Sequence, residues 1–139
     1  MTRILVVAYL LIVILSVNIT ALDNKTITHI ATLPVTEGLG IYSSVKMIAD
    51  GNSGSKAAGI ANISLLAINA GLGSFIAFGK PSNYSTLRLV HHVIGFTAVG
   101  AALWLTIAAS TDDAVDSHVK YVSGGYTAMT TVPIFIFNF

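Results

Sequence analysis

Hydrophobic positions in this chain fall in four long runs, and charged residues are confined to the gaps between them. The runs cover residues 4–22, between Arg3 and Asp23; 57–79, between Lys56 and Lys80; 89–110, between Arg88 and the pair Asp112–Asp113; and 121–139, after Lys120. Each reaches or approaches the ~20 apolar residues that cross a bilayer core at 1.5 Å per residue. None alternates with a period of two, as strands of a membrane barrel would. In lipid a lone segment must satisfy its own backbone hydrogen bonds, so the runs predict helices. The expected fold class is all-α, a small transmembrane bundle forming one membrane domain over 1–139. The first run, with Arg3 ahead of it, also has the shape of a signal peptide. Retained, it gives four helices, and cleaved, three; its length favours retention.

Residues 23–56 make the one sizeable segment outside these runs and are expected to form an external loop. Within it, 25–33 is rich in Thr and Ile and reads as extended. Pro34 is expected to break it. Over 39–49, Ile41, Tyr42, Val45, Ile48 and Ala49 recur at helical spacing, which predicts a short helix on the membrane surface. Residues 50–55, Asp-Gly-Asn-Ser-Gly-Ser, read as a flexible joint. Basic residues near helix ends mark the cytoplasmic side. Arg3, Lys80 and Arg88 therefore put the N-terminus, the 80–88 link and the C-terminus inside. The segment 111–120, with Asp112, Asp113 and Asp116, lies outside on this reading.

Between helices in lipid, small residues and hydrogen-bonding side chains do the work of association. The second run carries a small stripe, Ala67, Ala70, Gly71 and Ser74, and places Asn62 and Asn69 on one face. The fourth carries Ser123, Tyr126, Thr127 and Thr130 on one face. These groups are expected to point into the bundle, and Pro133 to kink the last turns.

Composition sharpens the picture. Of 139 residues, 54% are hydrophobic and 9% charged, against roughly 25% charged in soluble domains. The mean hydropathy is +0.79. A net charge of +1 gives no electrostatic reason for a nucleic-acid partner. The partners expected are the lipid bilayer and either a second copy or a larger membrane complex. There is no cysteine, which excludes disulfides, zinc–thiolate sites, iron–sulfur clusters and c-type haem attachment.

Four histidines remain as candidates for chemistry: His29, His91, His92 and His118. Ionisable groups inside a span are functional by default. His91 and His92 stand three to four residues beyond Arg88, about 5–6 Å along the axis. Neighbouring helix positions diverge by about 100°, so one ring faces the bundle and the other a neighbour, lipid or the interface. The alternative is a histidine among headgroups or bonded to a carbonyl. Asp112, Asp113, Asp116 and His118 could hold a divalent cation; a solvated outer loop is the plainer reading. No Gly-rich phosphate loop and no complete catalytic motif is present, so enzymatic activity is left open.

The stretch Leu87-Arg88-Leu89-Val90-His91-His92-Val93-Ile94-Gly95-Phe96 resembles the transmembrane b-type cytochromes that act as ascorbate-reducible ferric reductases. Those often carry a histidine or a His-His pair at the head of a span, then Gly and an aromatic. The match covers about one span. The resemblance implies b-type haem with His92 and His91 as candidate iron ligands, Gly95 making room for the porphyrin edge and Phe96 packing on it. His118 is a further cofactor-binding candidate. A b haem takes two imidazoles on opposite faces of the iron, from facing helices at one depth. That family holds two haems with four histidines, whereas here no other span offers a histidine at the depth of His92. The expected function is a haem-binding electron-transfer subunit, with His92 of two chains sharing one iron. The alternative is a non-catalytic scaffold or accessory subunit, and a transporter ranks third.

Overall fold

A computed structural model describes the backbone of residues 24–79 and 81–138 and the side chains of 31–79 and 81–131. The first hydrophobic run, 4–22, lies outside the described residues. The described chain is all-α, with no strand among the described residues: α1 Asn24–Asp50, α2 Ser53–Gly79, α3 Tyr84–Thr111 and α4 Ser117–Asn138. Helices α2 and α3 are long and apolar enough to cross a membrane. Two compact units divide within α1, one ending at Val35 and the other spanning Thr36–Phe139. Of the first unit, the described part is the opening half of α1. The second holds the helical bundle.

The long helix α1 corrects the expectation for 23–56. Residues 25–33 are helical rather than extended, and Pro34 stands inside the helix. Proline removes one backbone hydrogen bond from a helix without having to end it. The predicted turn of helix at 39–49 is the later part of this element, and one face of it is buried in the bundle. From Thr36 onward α1 buries Thr36, Gly40, Ser43, Ser44 and Met47, spaced as one helical face. That face is small and hydroxyl-bearing, so a search for apolar periodicity follows the opposite side, where Ile41, Tyr42 and Val45 are exposed.

Close approach sets the register of α1 on α2. A Cβ added to Gly59 would stand 2.7 Å from the Ser44 carbonyl oxygen and 3.3 Å from the Met47 side chain. One added to Gly40 would meet the Tyr126 ring at 2.6 Å and Leu66 at 2.8 Å. The helices are antiparallel, pairing Met47 with Gly59, Ser44 with Asn62 and Gly40 with Leu66. On α3 the buried residues are Ala98, Ala101, Ala102, Leu105 and Ala109, a face whose alanines let α2 and α4 come near. The core unites Met47, Ala58, Leu66, Ala102, Leu105, Ala109, Val115, Val119 and Tyr126.

The small stripe expected to pack on α2 faces outward. Ala67, Gly71 and Ser74 are exposed, and a Cβ on Gly71 meets nothing within 4 Å. The buried face is instead Ser55, Ala58, Gly59, Asn62 and Leu66. Gly71 comes nine residues after Asn62, half a turn round the helix. On α4 the expectation holds: Ser123, Tyr126 and Thr127 are buried.

Candidate functional site

Polar side chains gather in three places. The first is the end of the bundle where α1 turns into α2 and α3 into α4. Asn52 caps α2, its Oδ1 accepting from the Ser55 backbone N–H at 3.0 Å. Asp112, directly after α3, places its carboxylate over this turn. Its Oδ2 accepts from the Asn52 N–H at 2.7 Å and from the Ser55 hydroxyl at 2.5 Å, and its Oδ1 from the Ala114 N–H at 3.0 Å. Asp112 is only 4% exposed. These hydrogen bonds, Ser55 first and Asn52 next, hold its carboxyl below the usual carboxylate value. Gly51 is buried beneath them, where a side chain would run into Met47 and Ser55. Residues 50–55, expected to be flexible, are a built joint.

Two of the carboxylates considered for a divalent cation serve the backbone of the turns instead. The Asp112 oxygens are taken by three donors, and Asp116 Oδ1 caps α4 by accepting from the His118 N–H at 2.7 Å. His118 Nδ1 lies 3.3 Å from the Tyr42 hydroxyl, with the two rings edge to face at 5.8 Å. Among the described residues no three His, Cys, Asp or Glu side chains converge on a metal position.

The second place is mid-bundle. Asn62, fully buried, donates from Nδ2 to Ser44 Oγ at 2.9 Å and accepts at Oδ1 from the Tyr126 hydroxyl at 3.1 Å. One amide thus ties α1, α2 and α4 together. Thr127 donates to the Ala102 carbonyl at 2.8 Å, and its hydroxyl lies 2.8 Å from that of Thr106, which reaches the Ser123 carbonyl at 2.9 Å. Asn69 shares the face of Asn62, as its spacing predicts, yet its buried Oδ1 has no hydrogen-bond partner.

The third place is the histidine pair, near the other end of α3. The His91 ring sits on α2, its Cε1 3.1 Å from where a Cβ of Gly73 would stand. His92 turns away; the two ring centroids are 6.3 Å apart and the planes tilted by 45°. One ring faces the bundle and the other does not, as expected, but the inward one is His91. His92 and Gly95 are half-buried and Phe96 is 49% exposed.

Among the described side chains of one chain, no two histidines are placed to hold a bis-histidine haem. His91 and His92 are neighbours on one helix and cannot take opposite faces of an iron. His118 lies beyond the far end of α3, about 30 Å from His92 along that helix, and is engaged by Tyr42. His29 falls in α1, with its side chain outside the described ones. Sequence reading missed the role of Asp112 and overlooked Glu37. Asp112 is a structural anchor, signalled only by the cap pattern Asn52-x-x-Ser55 it serves. Glu37, half-buried on the face of α1 that carries Gly40 and Ser44, went unmarked because 23–56 read as a loop. In comparisons with protein-family models, with curated proteins and with solved structures, nothing matches this chain.

Proposed function

We propose that the chain is a small multi-pass integral membrane subunit, built to pack against a second copy or within a larger membrane complex. One observation carries this reading. The bundle buries hydroxyl and amide groups beside its apolar core and leaves many large apolar side chains on its outside. Ser43, Ser44, Ser55, Asn62 and Ser123 are all at most 1% exposed, while Leu89, Ile107, Val93, Phe75 and Trp104 are 45–65% exposed. Water penalises such a contiguous apolar surface, and lipid does not. Exposed Tyr84 and Trp104 on α3 stand twenty positions apart, about 30 Å, which matches the spacing of interfacial aromatics across a hydrocarbon core. On this placement the Asp112 joint lies at one membrane surface and the 80–83 link at the other. Lys80 and Arg88, with no acidic residue beside them, argue for a cytoplasmic 80–88 link. Lys46 at the opposite end is offset by Asp50, 3.1 Å away. The chain should stay in the membrane fraction through high-salt and alkaline washing and leave it only with detergent. Recovery as a stable soluble monomer would overturn the reading.

A second reading, b-type haem held between two chains, is favoured by the half-exposed His92 beside exposed Phe96. A twofold axis along the membrane normal is what would give this histidine a partner at its own depth. The expected stoichiometry is one haem per two chains, lost in His92→Ala and kept in His118→Ala. Monodisperse protein from haem-supplemented cells without a Soret band ends this second reading and leaves the subunit reading standing.

A further inference from the structure

One face of α3 changes character along its length. Ser85, Arg88, His92 and Phe96 follow one another at i, i+3, i+7 and i+11, within about 80° of each other round the helix. Leu103 continues the line. Ser85, Arg88, Phe96 and Leu103 are exposed and His92 is half-buried. Near the 80–83 link this face therefore offers a hydroxyl, a guanidinium and an imidazole, and beyond them only apolar surface. No acidic residue occurs from Pro81 to Thr111, and among the described residues no ion pair includes Arg88. In the proposed membrane placement Tyr84 marks the interface. Arg88 then stands at headgroup depth, with His92 and Phe96 each about 6 Å further in. A guanidinium left without a protein partner at that depth meets lipid phosphate.

We propose that this stripe binds one anionic phospholipid. Arg88 and Ser85 hold the phosphate, His92 donates to an ester carbonyl below it, and an acyl chain lies along Phe96 and Leu103. Donors that run straight into apolar surface fit an anion carrying a chain better than a free anion. The charge pattern selects the headgroup. A zwitterionic lipid brings its own cation beside the phosphate, and α3 has no carboxylate to receive it. Anionic lipids are concentrated in the cytoplasmic leaflet, the side already given to the 80–88 link. A lipid here and a haem at His92 would exclude each other on one chain.

The test is native mass spectrometry of the full chain in neutral detergent, titrated with phosphatidylglycerol or with phosphatidylcholine of the same acyl chains. The wild type should retain one phosphatidylglycerol under conditions that strip phosphatidylcholine. Arg88→Gln should weaken the anionic lipid about fivefold and leave the zwitterionic one unchanged, while melting at the wild-type temperature. Arg88→Lys keeps the charge and should keep the preference. Phe96→Ala should weaken both lipids alike, because it removes contact with the chain and not with the headgroup. Lys56→Gln, an exposed cation at the far end, should change neither. Equal retention of the two lipids by the wild type overturns the proposal. So does a loss in Lys56→Gln as large as that in Arg88→Gln, which would mean attraction to overall charge. Displacement of the lipid by glycerol phosphate, the headgroup without chains, would assign the stripe to a free anion instead. The inference rests on the bundle lying in lipid, and the two fail separately. A chain that leaves the membrane under alkaline washing sinks the placement, and a membrane-held chain without the preference sinks only the lipid site.

Discussion

Single polar side chains decide how this chain is held together. Asp112 joins two interhelical turns through three hydrogen bonds, and its carboxyl lies below its ordinary value of 3.8. A group with a depressed folded value contributes stability above its unfolded value and loses it as pH falls through the folded one. Asp112→Asn should therefore lower the melting temperature at neutral pH, clearly more than Asp113→Asn at the exposed neighbour. The same change should flatten the loss of stability on acidification below the carboxylate range. Thermal melts of the three proteins across pH check both. Tyr126→Phe leaves the Asn62 Oδ1 buried without a donor, and about 1–2 kcal/mol is the expected cost. A double-mutant cycle with Asn62→Ala should return a coupling of similar size, because the two side chains share one bond. Additive effects would mean the bond contributes nothing.

At the scale of elements, glycine position matters more than glycine count. Gly59 and Gly40 lie where two helices touch, with backbone or ring atoms under 3 Å from an added Cβ. Gly71 lies on the outer face, with open space around it. Gly59→Ala should destabilise the bundle, since the Ser44 carbonyl in its way belongs to a helix backbone and cannot swing aside. Gly71→Leu, which adds more atoms, should leave the stability of the detergent-solubilised monomer within about 0.5 kcal/mol of the wild type. The reverse order would mean that α2 is rotated by half a turn. Helix starts follow local chemistry: Asn52 and Asp116 cap α2 and α4 through their side chains, whereas α3 begins at Asn83 with no side-chain cap bond.

For the whole molecule, the proposed membrane placement raises the matter of which end faces the cytoplasm. The Asn52–Asp112 hydrogen bond fixes the 51–52 turn and the 112–116 link at one end, so positions in both must label together. Single cysteines at Ser82 and at Asp113, in a chain with no native cysteine, separate the two ends. With the 80–88 link cytoplasmic, an impermeant reagent on intact cells labels the position at 113 and not the one at 82. The opposite pattern inverts the orientation, and labelling of neither or both discards the two-sided topology.

The sequence by itself determined the class of this protein and much of its helix content. Long uncharged runs at 57–79 and 89–110 leave the backbone no arrangement but helix if lipid surrounds them, and α2 and α3 follow them closely. The hydroxyl stripe of α4 and the shared face of Asn62 and Asn69 were legible for the same reason, since helical spacing fixes which side chains share a side. Which face meets which helix was not legible. Ala67, Ala70, Gly71 and Ser74 are as small as Gly40, Ser44 and Gly59, and only the tertiary fit selects the second set. The packing of α1 was hidden because its inner face, Thr36, Gly40, Ser43 and Ser44, looks like a loop to any scale that scores burial by hydrophobicity. The candidate site divides in the same way. Composition singles out His91 and His92, but the fold turned His91 onto Gly73 and set His118 at the far end. Burial of Asp112 and the bond between Asn62 and Tyr126 depend on residues 57 and 64 positions apart in the chain. Hydrogen bonds and helix register of that range are written in no local pattern, and they exist only once the helices have packed.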